Sequence, residues 1–162
     1  MIFKIISHYK TMENKTQNEV LSVVHHLIER CKDGQRGYAH AAKDIEDQDL
    51  KTLFQEYSVQ RDSMITELQN ELHNFGKLDD ESTSLEGKVH RTWMDLSSAL
   101  LAKDRQQVLN ECERGEDYAV AAYDKALKAD LPSNLKQIVQ KQYEQVKKAH
   151  DTIRDLRDQG KK

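Results

Sequence analysis

Four long segments of the chain carry apolar residues at the three- and four-residue spacing of an α-helix, and polar residues interrupt each stripe near its middle. The apolar positions are, in chain order, Val20, Val24, Leu27, Cys31, Tyr38, Ala42 and Ile45; Leu50, Phe54, Tyr57, Met64, Leu68, Leu72 and Phe75; Val108, Cys112, Ala119, Tyr123 and Ala126; and Leu135, Val139, Val146, Ala149, Ile153 and Leu156. The interrupting residues are Gln35 in the first stripe, Gln60 and Arg61 in the second, Glu116 in the third and Gln142 in the fourth. The pattern predicts four amphipathic helices with a shared polar layer at mid-height.

Helix-ending signals set the boundaries of these segments. The predicted helices are 17–45, 50–75, 85–102, 105–129 and 133–158. Asp49 is expected to cap the second helix, Gly76 to end it, and Pro132 to lie in the first turn of the last one. Single glycines interrupt the first and third long helices, and Gly37 and Gly115 flank the polar layer. Close helix approach is the expected reason, and space for a bound ligand is the alternative.

The connections between the helices predict the topology. Short turns make the first two long helices one antiparallel hairpin and the last two another, and residues 77–103 link the hairpins. Two hairpins joined by one long crossover correspond to the ferritin-like topology. The sequence therefore predicts an all-α, ferritin-like four-helix bundle over residues 17–158, with an additional short crossover helix between the hairpins. Residues 1–16 are expected to form an N-terminal extension, and 159–162 a frayed tail.

The polar layer is the main candidate for chemistry. Di-iron bundles use Glu-x-x-His pairs, and none of the seven histidines has a glutamate three residues before it. The layer offers one carboxylate, several amides and a guanidinium, a poor set of ligands for a hard cation. Amides can satisfy one another's hydrogen bonds, and Arg61 can form a bidentate pair with Glu116. We therefore expect a metal-free layer and no cofactor.

A metal site is the alternative for the same region. Its ligands would come from Glu56, Glu113, Glu116, Asp117 and His150. Iron or manganese is the corresponding cofactor.

The short crossover helix carries a second candidate site. Trp93 lies on an apolar face with Leu96 and is expected to anchor this helix to the bundle. The alternative is a ligand or anion site formed by His90, Arg91 and Trp93.

Charge and composition narrow the range of partners. A formal net charge of −3, with basic and acidic side chains intermixed, argues against nucleic acid. The apolar runs are too short to cross a membrane.

Cys31 and Cys112 fall on apolar stripes and are expected to be free thiols in a reduced compartment, although a disulfide between them is left open. The predicted location is cytoplasmic, and a homo-oligomer is left open.

Several short strings also resemble a known family. They are Asp33-Gly34-Gln35-Arg36-Gly37-Tyr38, Gln60-Arg61, His90-Arg91-x-Trp93, Glu113-Arg114-Gly115-Glu116-Asp117 and Ala149-His150-Asp151. Over roughly residues 17–158 the chain resembles small bacterial ferritin-like four-helix-bundle proteins of unknown function. The resemblance implies the ferritin-like fold and a bacterial origin, and it brings no activity. In the more distant rubrerythrins, Glu-x-x-His positions hold iron, and here Gln60 and Ser63 stand where such a pair would fall.

Three functional hypotheses follow from these observations. The first is a non-enzymatic structural or interaction protein, for which a stress-related role is one option. The second is a degenerate di-metal protein with oxidoreductase or metal-storage activity. The third is a bundle that binds a small molecule.

Overall fold

The computed structural model describes residues 1–74 and 95–160, with residues 9–15 described by their backbone alone. Within this part of the chain all regular secondary structure is helical. The long helices are α1 (Ile2–Asp44), α2 (Gln48–Asn74), α4 (Arg105–Leu127) and α5 (Ser133–Gln159), and residues 95–101 form the described part of a shorter helix, α3.

Contacts between the helices define their directions. Cys31 of α1 faces Tyr123 of α4 and Tyr38 faces Glu116, so these two helices are antiparallel. α1 and α2 pack against each other across the short turn 45–47, and α4 and α5 across the turn 128–132. α2 also packs on α5. The four helices therefore form a closed ring with the order up, down, down, up.

The start of α4 lies at the same end of the bundle as the start of α2. Arg105, at the start of α4, forms ion pairs with Asp47 and Asp49 near the start of α2, at 3.2 and 3.0 Å. Because α2 runs away from that end, the last described residue of α2, Asn74, lies at the opposite end of the bundle from the start of α4.

The described part of α3 covers the end of the core. Leu96, Ala99 and Leu100 are buried against the cluster that contains Phe54 and Leu109. The helix does not continue into α4, because Lys103 has a φ of 54° in the left-handed region. Asp104 then caps α4 by accepting a hydrogen bond from the Gln107 backbone N–H at 3.1 Å. The crossover is therefore helical in its described part and separate from α4.

The buried apolar residues form two clusters at different heights. The lower one includes Leu27, Leu68, Tyr123 and Val139, and the upper one includes Phe54, Leu109 and Ile153 among others. The interval between them contains the buried, charged residues Arg61 and Glu116. The core is thus divided by a polar layer.

The start of α1 differs from the prediction. The helix was expected to begin near Gln17, and it begins at Ile2 because no glycine or proline interrupts the first 33 residues. Ile2, Phe3, Ile5 and Ile6 are exposed, and Val20 is the first buried residue among the described side chains. The helix therefore extends well beyond the packed core.

Other local predictions have mixed outcomes. Asp49 lies in the first turn of α2 rather than at the position before it. Gly76 and the predicted crossover residues 77–94 lie outside the described part of the chain. Within that part, no helix is long and apolar enough to span a bilayer.

The glycines near the polar layer do not act as predicted. A Cβ added at Gly37 or Gly115 would meet no atom within 4 Å, so neither position permits a close helix approach. At Gly34 an added Cβ would lie 3.4 Å from Cγ of Arg61. The glycine that makes room for a core side chain is therefore Gly34.

We expect Gly37→Ala and Gly115→Ala each to raise the free energy of unfolding by about 0.5–1 kcal/mol, because alanine has the higher helix propensity and its methyl group meets no neighbour. Urea unfolding measures the change. Gly34→Ala is the matched control. Its free energy of unfolding should increase less, because the added methyl group lies in tight contact with the aliphatic part of the Arg61 side chain. A loss of stability in Gly37→Ala would show that this position needs glycine.

Candidate functional site

Arg61 and Glu116 meet in the polar layer. Arg61 Nη2 donates a hydrogen bond to Glu116 Oε1 at 2.5 Å, and the two side chains are each only 2% exposed. The Tyr38 hydroxyl donates to the same carboxylate oxygen. One carboxylate oxygen therefore accepts from two groups carried by two other helices, which joins α1, α2 and α4.

The surroundings of this pair are aromatic on one side. The Tyr38 ring lies 5.6 Å from the Phe54 ring and 5.3 Å from the Tyr57 ring, measured between centroids. The Arg61 guanidinium carbon lies 6.0 Å from the centre of the Tyr38 ring, within reach of a weak cation–π contact. Ring packing and the hydrogen bond to Glu116 together fix the position of the Tyr38 side chain.

The electrostatics keep Arg61 and Tyr38 each in one protonation state. Burial is the largest single influence on the pKa of Arg61 and lowers it, but the charge of Glu116, together with the smaller effects of Tyr38, Cys31 and the hydrogen bond to Glu116, raises that pKa above its ordinary value. Burial also raises the pKa of Tyr38 well above its usual range, and the negative charge of Glu116 adds to this shift. The guanidinium stays charged and the phenol stays a donor at neutral pH.

Some buried polar atoms of the layer have no hydrogen-bond partner among the described residues. Glu116 Oε2, Arg61 Nε and Gln60 Oε1 are buried and lack a hydrogen bond to any described residue. Such atoms commonly bond to internal water. The polar layer therefore contains hydrogen-bonding atoms that the contacts of the ion pair do not use.

A second polar cluster lies below the first. Tyr123 donates to Gln142 Oε1 at 2.7 Å and also lies 3.1 Å from Cys31 Sγ. Gln142 Nε2 donates to the Met64 carbonyl at 3.2 Å. Burial raises the pKa values of the Cys31 thiol and the Tyr123 hydroxyl, so both remain protonated. This cluster connects all four long helices.

The prediction of a single five-residue layer therefore needs correction. Gln142 bonds within the second cluster and not to Arg61 or Glu116. Gln60 is half-buried, with its Oε1 buried in the layer, whereas Gln35 is half-buried and its backbone carbonyl accepts a hydrogen bond from Ser58. The reason is that the apolar stripe indicates the inward face of each helix but not the relative height of the helices.

The residues predicted as alternative metal ligands separate into different places. Glu113, Asp117 and His150 come together, with one ligand atom of each lying within 4.8 Å of the others. Glu116 points instead to Arg61, and Glu56 is exposed on α2. The structure thus brings three of the five alternative ligands together, and Glu116 and Glu56 lie apart from that group.

The remaining sequence predictions have simple outcomes. His90, Arg91 and Trp93 lie outside the described residues. Cys31 and Cys112 are both buried free thiols, in the lower and the upper cluster respectively. The disulfide left open by the sequence does not form.

Sequence reasoning missed the two tyrosines that complete the polar clusters. Tyr38 and Tyr123 were counted as apolar, because both lie on apolar stripes. Their hydroxyls carry the signal that could have identified them, since a buried tyrosine normally finds a hydrogen-bond partner. The interrupting residues nearby, Glu116 and Gln142, are those partners.

The protonation of Asp33 should make stability depend on pH. Burial raises the pKa of Asp33 from 3.8 to about 6, so between these values the folded state binds a proton that the unfolded state has released. Its contribution to stability therefore falls as pH rises through this window. The free energy of unfolding of Asp33→Asn relative to that of the parent should therefore be higher at pH 7 than at pH 3.8. After allowance for solvent screening, we expect this increase to be up to about 1 kcal/mol. Urea unfolding of both proteins at the two pH values measures this, and an equal difference at both would contradict it.

The geometry defines an all-helical bundle protein whose core is divided by an ion-paired polar layer. Residues 19–129 match the family DUF2383, a domain of unknown function. The match covers more than half of the chain, and the protein belongs to this family. The matched range includes Arg61 and Glu116 and ends before α5. None of the curated proteins compared with the chain matches it.

Proposed function

We propose that this protein is a ferritin-like bundle whose mid-plane is occupied by a fixed side-chain network in place of metal ions, and that it acts as a non-enzymatic structural or interaction protein. The ion pair between Arg61 and Glu116 carries this proposal. A bacterial source and a cytoplasmic location belong to the same proposal.

The helix order supports the ferritin-like part of the proposal. The order up, down, down, up, in which α2 ends at the opposite end of the bundle from the start of α4, is that of two hairpins joined by one crossover. Bundles of this type build their metal centres from inward carboxylates and imidazoles on facing helices. The corresponding interval of this core is the one between the two apolar clusters.

The chemistry of that interval supports the metal-free part. A buried guanidinium repels cations, and here it also bonds to the inward carboxylate. The Tyr38 hydroxyl donates a hydrogen bond to the same carboxylate oxygen. If Glu116 bound a metal, Arg61 and Tyr38 would both lose the carboxylate oxygen that accepts their hydrogen bonds. Because both donors are buried, this loss would cost several kcal/mol.

A metal-binding experiment tests the proposal. The purified protein is exposed to ferrous iron, manganese or zinc, desalted and analysed for retained metal, and iron oxidation is followed in parallel. We expect no ferroxidase activity and no metal whose retention depends on Glu116. Glu116→Gln is the diagnostic variant, since it keeps the shape and removes the charge.

Retention of about two ions per chain that disappears in Glu116→Gln would overturn the proposal. Retention that is insensitive to Glu116→Gln places the metal elsewhere on the molecule and leaves the mid-plane network intact.

A further inference from the structure

A cluster of metal-ligating groups lies between α4 and α5, away from the mid-plane layer. Glu113 and Asp117 are four residues apart and therefore share one face of α4. His150 approaches them from α5, with its Nε2 2.8 Å from Asp117 Oδ1 and 4.0 Å from Glu113 Oε1. A nitrogen and two carboxylate oxygens from two helices thus converge on one point.

The imidazole is held in a suitable orientation. His150 Nδ1 lies 3.0 Å from Asp151 Oδ1, which fixes that side of the ring and turns Nε2 towards α4. Lys147 Nζ donates a hydrogen bond to the same oxygen of Asp151 at 2.7 Å, which holds this carboxylate in place. Metal-binding histidines generally have such a carboxylate on the second ring nitrogen.

The two carboxylates differ in setting. Glu113 is buried, and Arg157 Nη1 donates to its Oε2, which leaves Oε1 facing His150. Asp117 is exposed and borders an open cleft that Gln107, Asn110 and Arg114 also line. One ligand is thus anchored by the protein, and the other lies where an ion and its water can enter.

We propose that Glu113, Asp117 and His150 form a mononuclear site for a divalent transition metal of the zinc type, completed by water from the cleft. Imidazole with carboxylates suits such ions, and a three-ligand site leaves coordination positions open. This site shares no ligand with the mid-plane network.

The ligand atoms need a side-chain adjustment to close around one ion. Ligand atoms about 2.0–2.2 Å from a tetrahedral ion lie roughly 3.3–3.6 Å apart. The present ligand atoms all lie within 4.8 Å of one another, and the exposed Asp117 side chain is the one with room to move towards the other two. A metal at this point would connect α4 to α5.

Calorimetric titration of the full chain with zinc chloride tests this site, with cobalt chloride as a spectroscopic probe. We expect one ion per chain. His150→Ala should weaken binding at least tenfold, and Asp151→Asn about tenfold through loss of the orienting hydrogen bond. His73→Ala is the matched control, since His73 is exposed in the last turn of α2 and should leave the affinity unchanged.

Asp117→Asn is the second diagnostic variant. Its side chain is exposed, so the substitution leaves the core intact, and it should also weaken zinc binding at least tenfold. Absence of stoichiometric zinc binding, or unchanged affinity in Asp117→Asn or His150→Ala, would overturn the site. Loss of metal in Glu116→Gln but not in His150→Ala would overturn both this site and the metal-free mid-plane, whereas the reverse result supports both.

Discussion

Arg61→Met is expected to lower the free energy of unfolding by about 3–5 kcal/mol, because it leaves the Glu116 carboxylate buried without a cation. Glu116 is 2% exposed, and Arg61 is the cation that bonds to it among the described residues. Tyr38 would still donate to Glu116, but a neutral donor compensates less than a guanidinium does. Urea denaturation followed by circular dichroism measures the loss.

Glu116→Leu strands the guanidinium in the same way and should cost a similar amount. The double variant Arg61→Met with Glu116→Leu removes both charges and fills the space with apolar groups, so it should cost much less than the two single losses added together. The difference is the coupling energy of the pair. Additive losses would show that the two side chains do not act as a pair in solution.

An exposed ion pair provides the matched control. Lys103 Nζ lies 2.7 Å from Glu46 Oε1, close to the length of the buried bond, but both side chains are about 70% exposed. The coupling energy between Lys103→Met and Glu46→Leu should therefore be much smaller than that of the buried pair. A comparable coupling in both cycles would mean that burial is not the reason for the large effect.

The sequence predicted α2, α4 and α5 to within two residues at each end. Their ends carry local signals, namely the cap at Asp104, the break at Pro132 and the acidic turn before α2. The beginning of α1 had no such signal. Residues 1–16 were expected to lie outside the helix, but a helix without a glycine or proline to interrupt it continues through them.

The contact between Arg61 and Glu116 followed from simple geometry. Each interrupts an apolar stripe near mid-helix, and a buried charge needs a partner. The position of Gln142 did not follow, because its height depends on how α5 is offset against α2. That offset is set by side-chain packing across the interface, as in the bond from Gln142 to the Met64 carbonyl. Periodicity within a single helix carries no information about it.

The prediction of metal ligands was limited in the same way, because spacing along one helix does not give the contacts between helices. The cluster Glu113, Glu116 and Asp117 is compact in sequence, and all three were candidate ligands for one centre. Residues 113 and 117 share a face of α4, whereas the side chain of residue 116 turns towards α1 and α2. The spacing of four selects the pair, and His150 of α5 was among the candidate ligands, but which of the five candidates come together depends on the interhelical register.

The second polar cluster should be the next most sensitive part of the core. Gln142 is fully buried, and its side-chain oxygen accepts from the Tyr123 hydroxyl at 2.7 Å. Gln142→Leu removes this acceptor and leaves the hydroxyl with only the weakly accepting Cys31 sulfur at 3.1 Å among its described contacts. We expect a loss of about 1–3 kcal/mol in the free energy of unfolding, measured by urea denaturation.

Tyr123→Phe should cost a similar amount, since it leaves the Gln142 oxygen buried without a donor. The double variant Tyr123→Phe with Gln142→Leu removes both polar groups at nearly constant volume and should be close to neutral relative to either single variant. Gln140→Leu is the matched control on the same helix, because Gln140 is exposed and its bond to Glu144 lies in solvent. It should change stability by no more than about 0.5 kcal/mol. A Gln142→Leu protein as stable as the parent would mean that the amide forms no net stabilising hydrogen bond, and that the lower cluster tolerates an apolar residue at this position.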